Sequence, residues 1–189
     1  MTQTQMAVLL VAIIAVVIVA AVLIVLRRRS AKLRAQFGPE YDRVVAEKGN
    51  RFKAEAQLES VEKRVRRYSL KTLTPVDRDR FQQSWRQIQA TFVDDPGRAL
   101  SEADQLLASV MLASGYPPSD FENRATDISV DHATVVEHYR AGHDTAVLHS
   151  QRQATTEDLR KAMLHYRALF DELMGEEQVP LRARVAGRA

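Results

Sequence analysis

The sequence predicts an all-α protein: a single N-terminal transmembrane helix, a long stalk helix, then a bundle of about four helices. Three observations predict it. Residues 6–26 are an unbroken apolar run. The remainder divides at Gly and Pro into blocks whose apolar residues recur at three- and four-residue spacing. No block shows the strict alternation of a half-buried strand.

The first five residues (MTQTQ) are an uncharged leader. Met6 to Leu26 follow, 21 residues with no charge and 15 Val, Leu or Ile. As a helix this run is about 31 Å long, the thickness of a bilayer's hydrocarbon core. Its branched side chains favour insertion by roughly 5–9 kcal/mol. A buried core helix of this length would carry a polar stripe, and a signal peptide would have a basic leader and a shorter apolar stretch. The run has neither feature. Residues 27–38 form a basic juxtamembrane segment in which Arg27, Arg28, Arg29, Lys32 and Arg34 are candidate contacts for lipid headgroups. No Lys or Arg lies on the N-terminal side. The positive-inside rule then places the N-terminus outside and the rest of the chain in the cytoplasm.

Gly38-Pro39 ends the first helix, because a residue before proline avoids the α region. Residues 39–73 read as one long polar stalk helix with a short seam at Leu58, Val61, Val65 and Tyr68, expected to dock on the bundle. Tyr41, Val45 and Phe52 lie off that register. The basic end Lys63, Arg64, Arg66 and Arg67 reads as a solvated face.

The bundle domain spans residues 74–175. Thr74-Pro75-Val76-Asp77 is a helix start, with Thr74 as N-cap and a carboxylate three residues on. Phe81, Trp85, Ile88 and Phe92 mark one face of that helix and predict the centre of the core. Asp94-Asp95 could pass for a catalytic carboxylate pair, but Asp95 before Pro96 is better explained as the next N-cap. That helix buries Leu100, Ala103, Leu107, Val110 and Met111 and stops before Gly115. Ser119 to Glu122 reads as a capping box for a short helix to about Ala125. A longer helix is expected from Ser129 or Asp131 to Ser150. The last starts at Thr155, with Asp158 at N3, and buries Leu159, Met163, Tyr166, Phe170 and Leu173. Residues 176–189 read as a disordered basic tail.

Composition excludes several functions. The 189 residues hold 27 Lys+Arg against 24 Asp+Glu, too small an excess for a dedicated nucleic-acid binder. There is no Cys, hence no disulfide scaffold, thiolate zinc site or cysteine nucleophile. His132, His138, His143 and His149 fall in one predicted helix at spacings of 6, 5 and 6, not the i, i+3 or i+4 that a helical metal site needs. No G-x-S-x-G, G-x-G-x-x-G or phosphate loop is present. The sequence therefore predicts no catalytic, cofactor-binding or metal-binding residue and no small-molecule substrate. An enzyme would have to assemble His132, His143, Asp131 or Glu137 between helices.

Residues 92–107, 115–144 and 155–173 resemble a group of uncharacterised bacterial proteins with an N-terminal membrane segment and a helical C-terminal domain. The resemblance covers about residues 75–173. It implies a bacterial origin and supplies no activity. The expectation is a single-pass protein of the bacterial inner membrane whose cytoplasmic helical module binds an as yet unknown protein partner, as an adaptor or scaffold. The alternatives are an envelope-facing structural protein of opposite topology and the enzyme just described.

Overall fold

The computed structural model describes the backbone of residues 3–175 and the side chains of Leu10 and of residues 12–175. Most of the leader's and all of the tail's predicted features lie outside these residues. Eight helices and no strand occur among the described residues: α1 (Gln3–Phe37), α2 (Pro39–Lys48), α3 (Arg51–Val65), α4 (Pro75–Asp94), α5 (Pro96–Ala113), α6 (Phe121–Ile128), α7 (Val136–Ser150) and α8 (Thr156–Gly175). The all-α bundle is as the sequence predicts.

Four helices make the bundle. α5 lies at its centre, packing on α4, α7 and α8, and α7 pairs with α8. The aromatic face of α4 enters the core as expected: Phe81, Trp85 and Ile88 are buried, and the Trp85 ring stacks on Phe170 of α8 with centroids 4.7 Å apart. Caps set the helix starts. Thr74 Oγ1 accepts from the Asp77 N–H at 3.1 Å, and Asp95 Oδ1 accepts from the Arg98 N–H at 3.0 Å. Thr155 and Asp158 close a reciprocal box, each side chain accepting from the other's backbone N–H. Asp95 is thus a cap, as its place before proline implies.

Three boundaries differ from expectation, one of them the end of α6, which runs past Ala125 to Ile128. The short helix α6 is capped by Asp120, not Ser119. The Asp120 carboxylate accepts from the Asn123 N–H at 2.8 Å, which holds its pKa below the usual carboxylate range. α7 begins at Val136, not at Ser129 or Asp131. The intervening residues form turns around His132, whose N–H donates to the Ile128 carbonyl and whose carbonyl accepts from Val135. His132 therefore precedes the helix.

The larger correction concerns the stalk. Residues 39–73 are not one helix. Gly49 adopts φ +59° and its N–H closes on the Val45 carbonyl, ending α2; Asn50 is extended, and its side chain accepts from the Lys53 N–H to start α3. The chain folds back on itself, and α2 and α3 pack on the last turns of α1. They form a second core of Leu33, Phe37, Tyr41, Val44, Ala54, Leu58, Val61 and Val65, joined by Val130 from the bundle side. The seam at Leu58, Val61 and Val65 thus docks mainly on α1 and α2. Tyr41 and Val45 are off its register because they sit on a different helix. The basic end of α3 is also not merely solvated: Arg64 pairs with buried Asp127, and Arg66 with Glu62.

α1 is one uninterrupted helix of 35 residues. Leu26 is half-buried, and the described side chains above it are all exposed, among them Val16 (68%) and Val25 (64%). No helix is long and apolar enough to cross a membrane on the described residues alone. The exposed apolar side chains from Ala12 to Val25 and half-buried Leu26 are followed directly by Arg27 to Arg29.

Candidate functional site

The predicted headgroup contacts fall where α1 meets the α2–α3 hairpin. α2 runs antiparallel to α1: the Arg34 Nη2 donates to Asp42 at 2.6 Å, and Val45, one turn on, lines a cavity with Arg27. α3 then descends alongside. The Ser30 hydroxyl donates to Glu55 at 2.5 Å, Arg29 pairs with Glu59, and Lys32 lies 3.6 Å from Glu62. Two of the five cations thus meet acids of α3 and one meets α2. Arg27 and Arg28 remain without an acidic partner among the described residues, and both are exposed.

Glu55 organises this junction. It is buried at 2% exposure and accepts from Ser30, from the Tyr41 hydroxyl at 2.9 Å and from Arg51 Nε at 2.9 Å. Burial pushes its pKa up, but these hydrogen bonds outweigh burial and hold it below the usual carboxylate range. Beside it opens a cavity of about 330 Å³ lined by Arg27, Ser30, Arg34, Tyr41, Val45 and Arg51. Three guanidinium groups and two hydroxyls share one recess.

A second polar cluster couples this junction to the bundle. Glu40 of α2 is 2% exposed and takes a bidentate pair from Arg140 of α7, at 2.9 and 2.8 Å. Arg43 adds contacts at 2.9 and 3.1 Å. Arg140 also reaches Glu122 of α6 at 2.8 Å. Nearby, Asp127 receives Arg64 and the Tyr68 hydroxyl. Sequence pattern missed these acids, because periodicity assigns charged residues to the surface and the partners lie far along the chain.

The histidines face separate neighbours. His132 is buried with Nδ1 3.4 Å from Glu172; His143 stacks on Phe121; His149 lies against Gly97. His138 and His165 face each other across α7 and α8, Nδ1 to Nδ1 at 3.0 Å. Glu137 is exposed, and no group of three or more His, Cys, Asp or Glu able to hold a metal occurs among the described residues. Tyr116, on the Pro-Pro connector, packs inward edge-to-face on Tyr68.

The facing pair makes stability pH-dependent. With both rings neutral, one Nδ1–H donates to the other Nδ1; protonation removes the acceptor and adds repulsion. Burial and the neighbouring His138 lower the His165 pKa from its ordinary value. The unfolded chain then binds the proton more readily. Stability is present above about pH 6.5 and falls as pH drops through the depressed pKa. Because the pair is solvent-screened, the expected loss is under about 1 kcal/mol. Thermal melts between pH 7.5 and 5.5 should show it, and His138→Gln should reduce the difference, leaving the part due to burial.

No protein family, curated protein or solved structure matches the chain.

Proposed function

We propose that this chain is a single-pass membrane protein that holds a helical binding module against the cytoplasmic face of a bacterial inner membrane. One observation carries the reading. α1 is continuous from an exposed apolar shaft into a segment buried at Leu33 and Phe37, so shaft and module are mechanically one piece. In water, the exposed side chains of Leu10 and of residues 12–25 would form an apolar surface far larger than soluble monomers expose. Lipid accounts for it, and in the sequence the apolar run reaches from Met6 to Leu26, a bilayer's length. The basic residues after Leu26 argue for the module on the cytoplasmic side.

The module acts by binding another protein. Its buried polar clusters are closed by the chain's own partners: Glu40 by Arg140 and Arg43, Glu55 by Ser30, Tyr41 and Arg51. Anchorage would confine it to a thin layer and raise its effective concentration for a membrane-associated partner.

Alkaline carbonate should leave the full chain in the pelleted membranes, and a C-terminal alkaline phosphatase fusion should be inactive. Release by carbonate refutes the anchor; phosphatase activity refutes the orientation and favours the envelope-facing alternative. For partner capture, in-membrane crosslinking of the full chain is the appropriate assay. A fragment starting at Arg27 retains Ser30, Leu33 and Phe37, which the second core requires.

A further inference from the structure

We infer that the recess between α1 and the α2–α3 hairpin binds a phosphate-bearing anion, the headgroup phosphate of an anionic lipid being its source at the bilayer surface. The inference rests on the membrane reading and assigns that surface a specific ligand.

Height along α1 is the first argument. Glu55 of α3 meets Ser30 of α1. One helical turn back from each lie Arg51 and Leu26, both about 6 Å nearer the apolar shaft. The Gly49-Asn50 turn and the first turn of α3 therefore stand level with the end of the apolar run, where headgroups lie. Leu26 is half-buried while the described side chains above it are exposed. Phe52, in the first turn of α3, is 64% exposed between Arg51 and Lys53. An exposed aromatic flanked by cations is the composition of an interfacial anchor.

Charge is the second. Arg27, Arg34 and Arg51 line the recess, with the Ser30 and Tyr41 hydroxyls at its wall. Two acids oppose them, and each is engaged: Asp42 by Arg34, Glu55 by Arg51, Ser30 and Tyr41. The balance is one excess positive charge, on Arg27. Each guanidinium has five N–H donors, and the pairs with Asp42 and Glu55 leave several on Arg34 and Arg51 for a phosphate. The volume of about 330 Å³ accommodates a headgroup and not merely an ion.

The test uses the full chain in detergent, exposed to phosphatidylglycerol or phosphatidylcholine, with retained lipid read by native mass spectrometry. A parallel arm titrates inorganic phosphate and reads 31P line broadening. Phosphatidylglycerol should be retained over phosphatidylcholine, and the preference should fall about fivefold for each arginine removed in Arg27→Gln and in Arg27→Gln/Arg34→Gln. Arg27 has no acidic partner, so its loss leaves the fold intact. Arg67→Gln removes an exposed charge elsewhere and should change nothing. Displacement of the lipid by millimolar phosphate, dependent on Arg27, upholds the site and assigns it to the free anion. Equal retention of the two lipids with no phosphate binding overturns the site, as does a loss in Arg67→Gln equal to that in Arg27→Gln. Carbonate extraction judges the anchor separately: a chain released by carbonate that still binds phosphate through Arg27 sinks the membrane reading alone.

Discussion

Arg140→Met should lower the unfolding free energy by about 2–4 kcal/mol. The substitution removes the bidentate partner of Glu40, whose carboxylate is buried at 2% exposure. A buried charge that loses its partner costs more than the pair was worth, commonly about 3–5 kcal/mol. Arg43 remains within 3.1 Å and offsets part of that loss. For a chain of this size the expected fall in Tm is roughly 5–12 °C. The double variant Glu40→Gln/Arg140→Met should recover much of it, since no charge is then stranded. An additive double variant would show that the two side chains do not interact in solution. The effect should also be local. Glu40 and Arg140 join the α2–α3 hairpin to the bundle, so hydrogen exchange in α2 should rise more than exchange in α5.

That pair also marks the limit of what the sequence discloses. Helix starts at Thr74, Asp95 and Thr155 were legible because a cap is a local device, complete within four residues. The core face of α4 was legible because its period is. The break at Gly49-Asn50 carried a local signal too: a glycine able to adopt positive φ before an asparagine able to cap. It was outweighed by the seam downstream, and the off-register residues Tyr41 and Val45 were the visible trace of a second helix. Glu40 and Glu55 are different in kind. Nothing local distinguishes a buried glutamate from a solvated one, and Arg140 lies 100 residues from its partner. The five cations after Leu26 were legible as a collar. The cavity they form with Arg51 was not, because it exists only once α2 and α3 fold back. Reading residues 39–73 as a stalk hid it, since a straight helix would have carried Arg51 away from Arg27.

Gly142→Ala should destabilise the chain although alanine is the better helix former. Gly142 lies in the interior of α7, where the exchange alone would gain about 1 kcal/mol. Packing opposes it. A Cβ at this position would stand 2.5 and 2.6 Å from Cε1 and Cδ1 of Tyr166. That ring is fully buried, its hydroxyl 3.4 Å from Asp104 of α5 and its centroid 6.2 Å from that of the Tyr139 ring. It has nowhere to withdraw without parting α7 from α8, the most extensively paired helices of the bundle. Overpacking of this kind costs about 1–3 kcal/mol, and strain this close sits at the upper end, for a net loss of about 1–2 kcal/mol. The corresponding fall in Tm is roughly 3–8 °C. Gly97→Ala is the matched contrast. There the added Cβ would meet His149 Nε2 at 2.2 Å, the far end of a half-buried side chain that can swing toward solvent. Its expected change is within about 0.5 kcal/mol. If backbone propensity governed both sites, the two variants would shift Tm upward together. If packing against Tyr166 governs, Gly142→Ala falls alone, and pairing it with Tyr166→Leu costs less than the sum of the two single changes because the ring it strikes is gone.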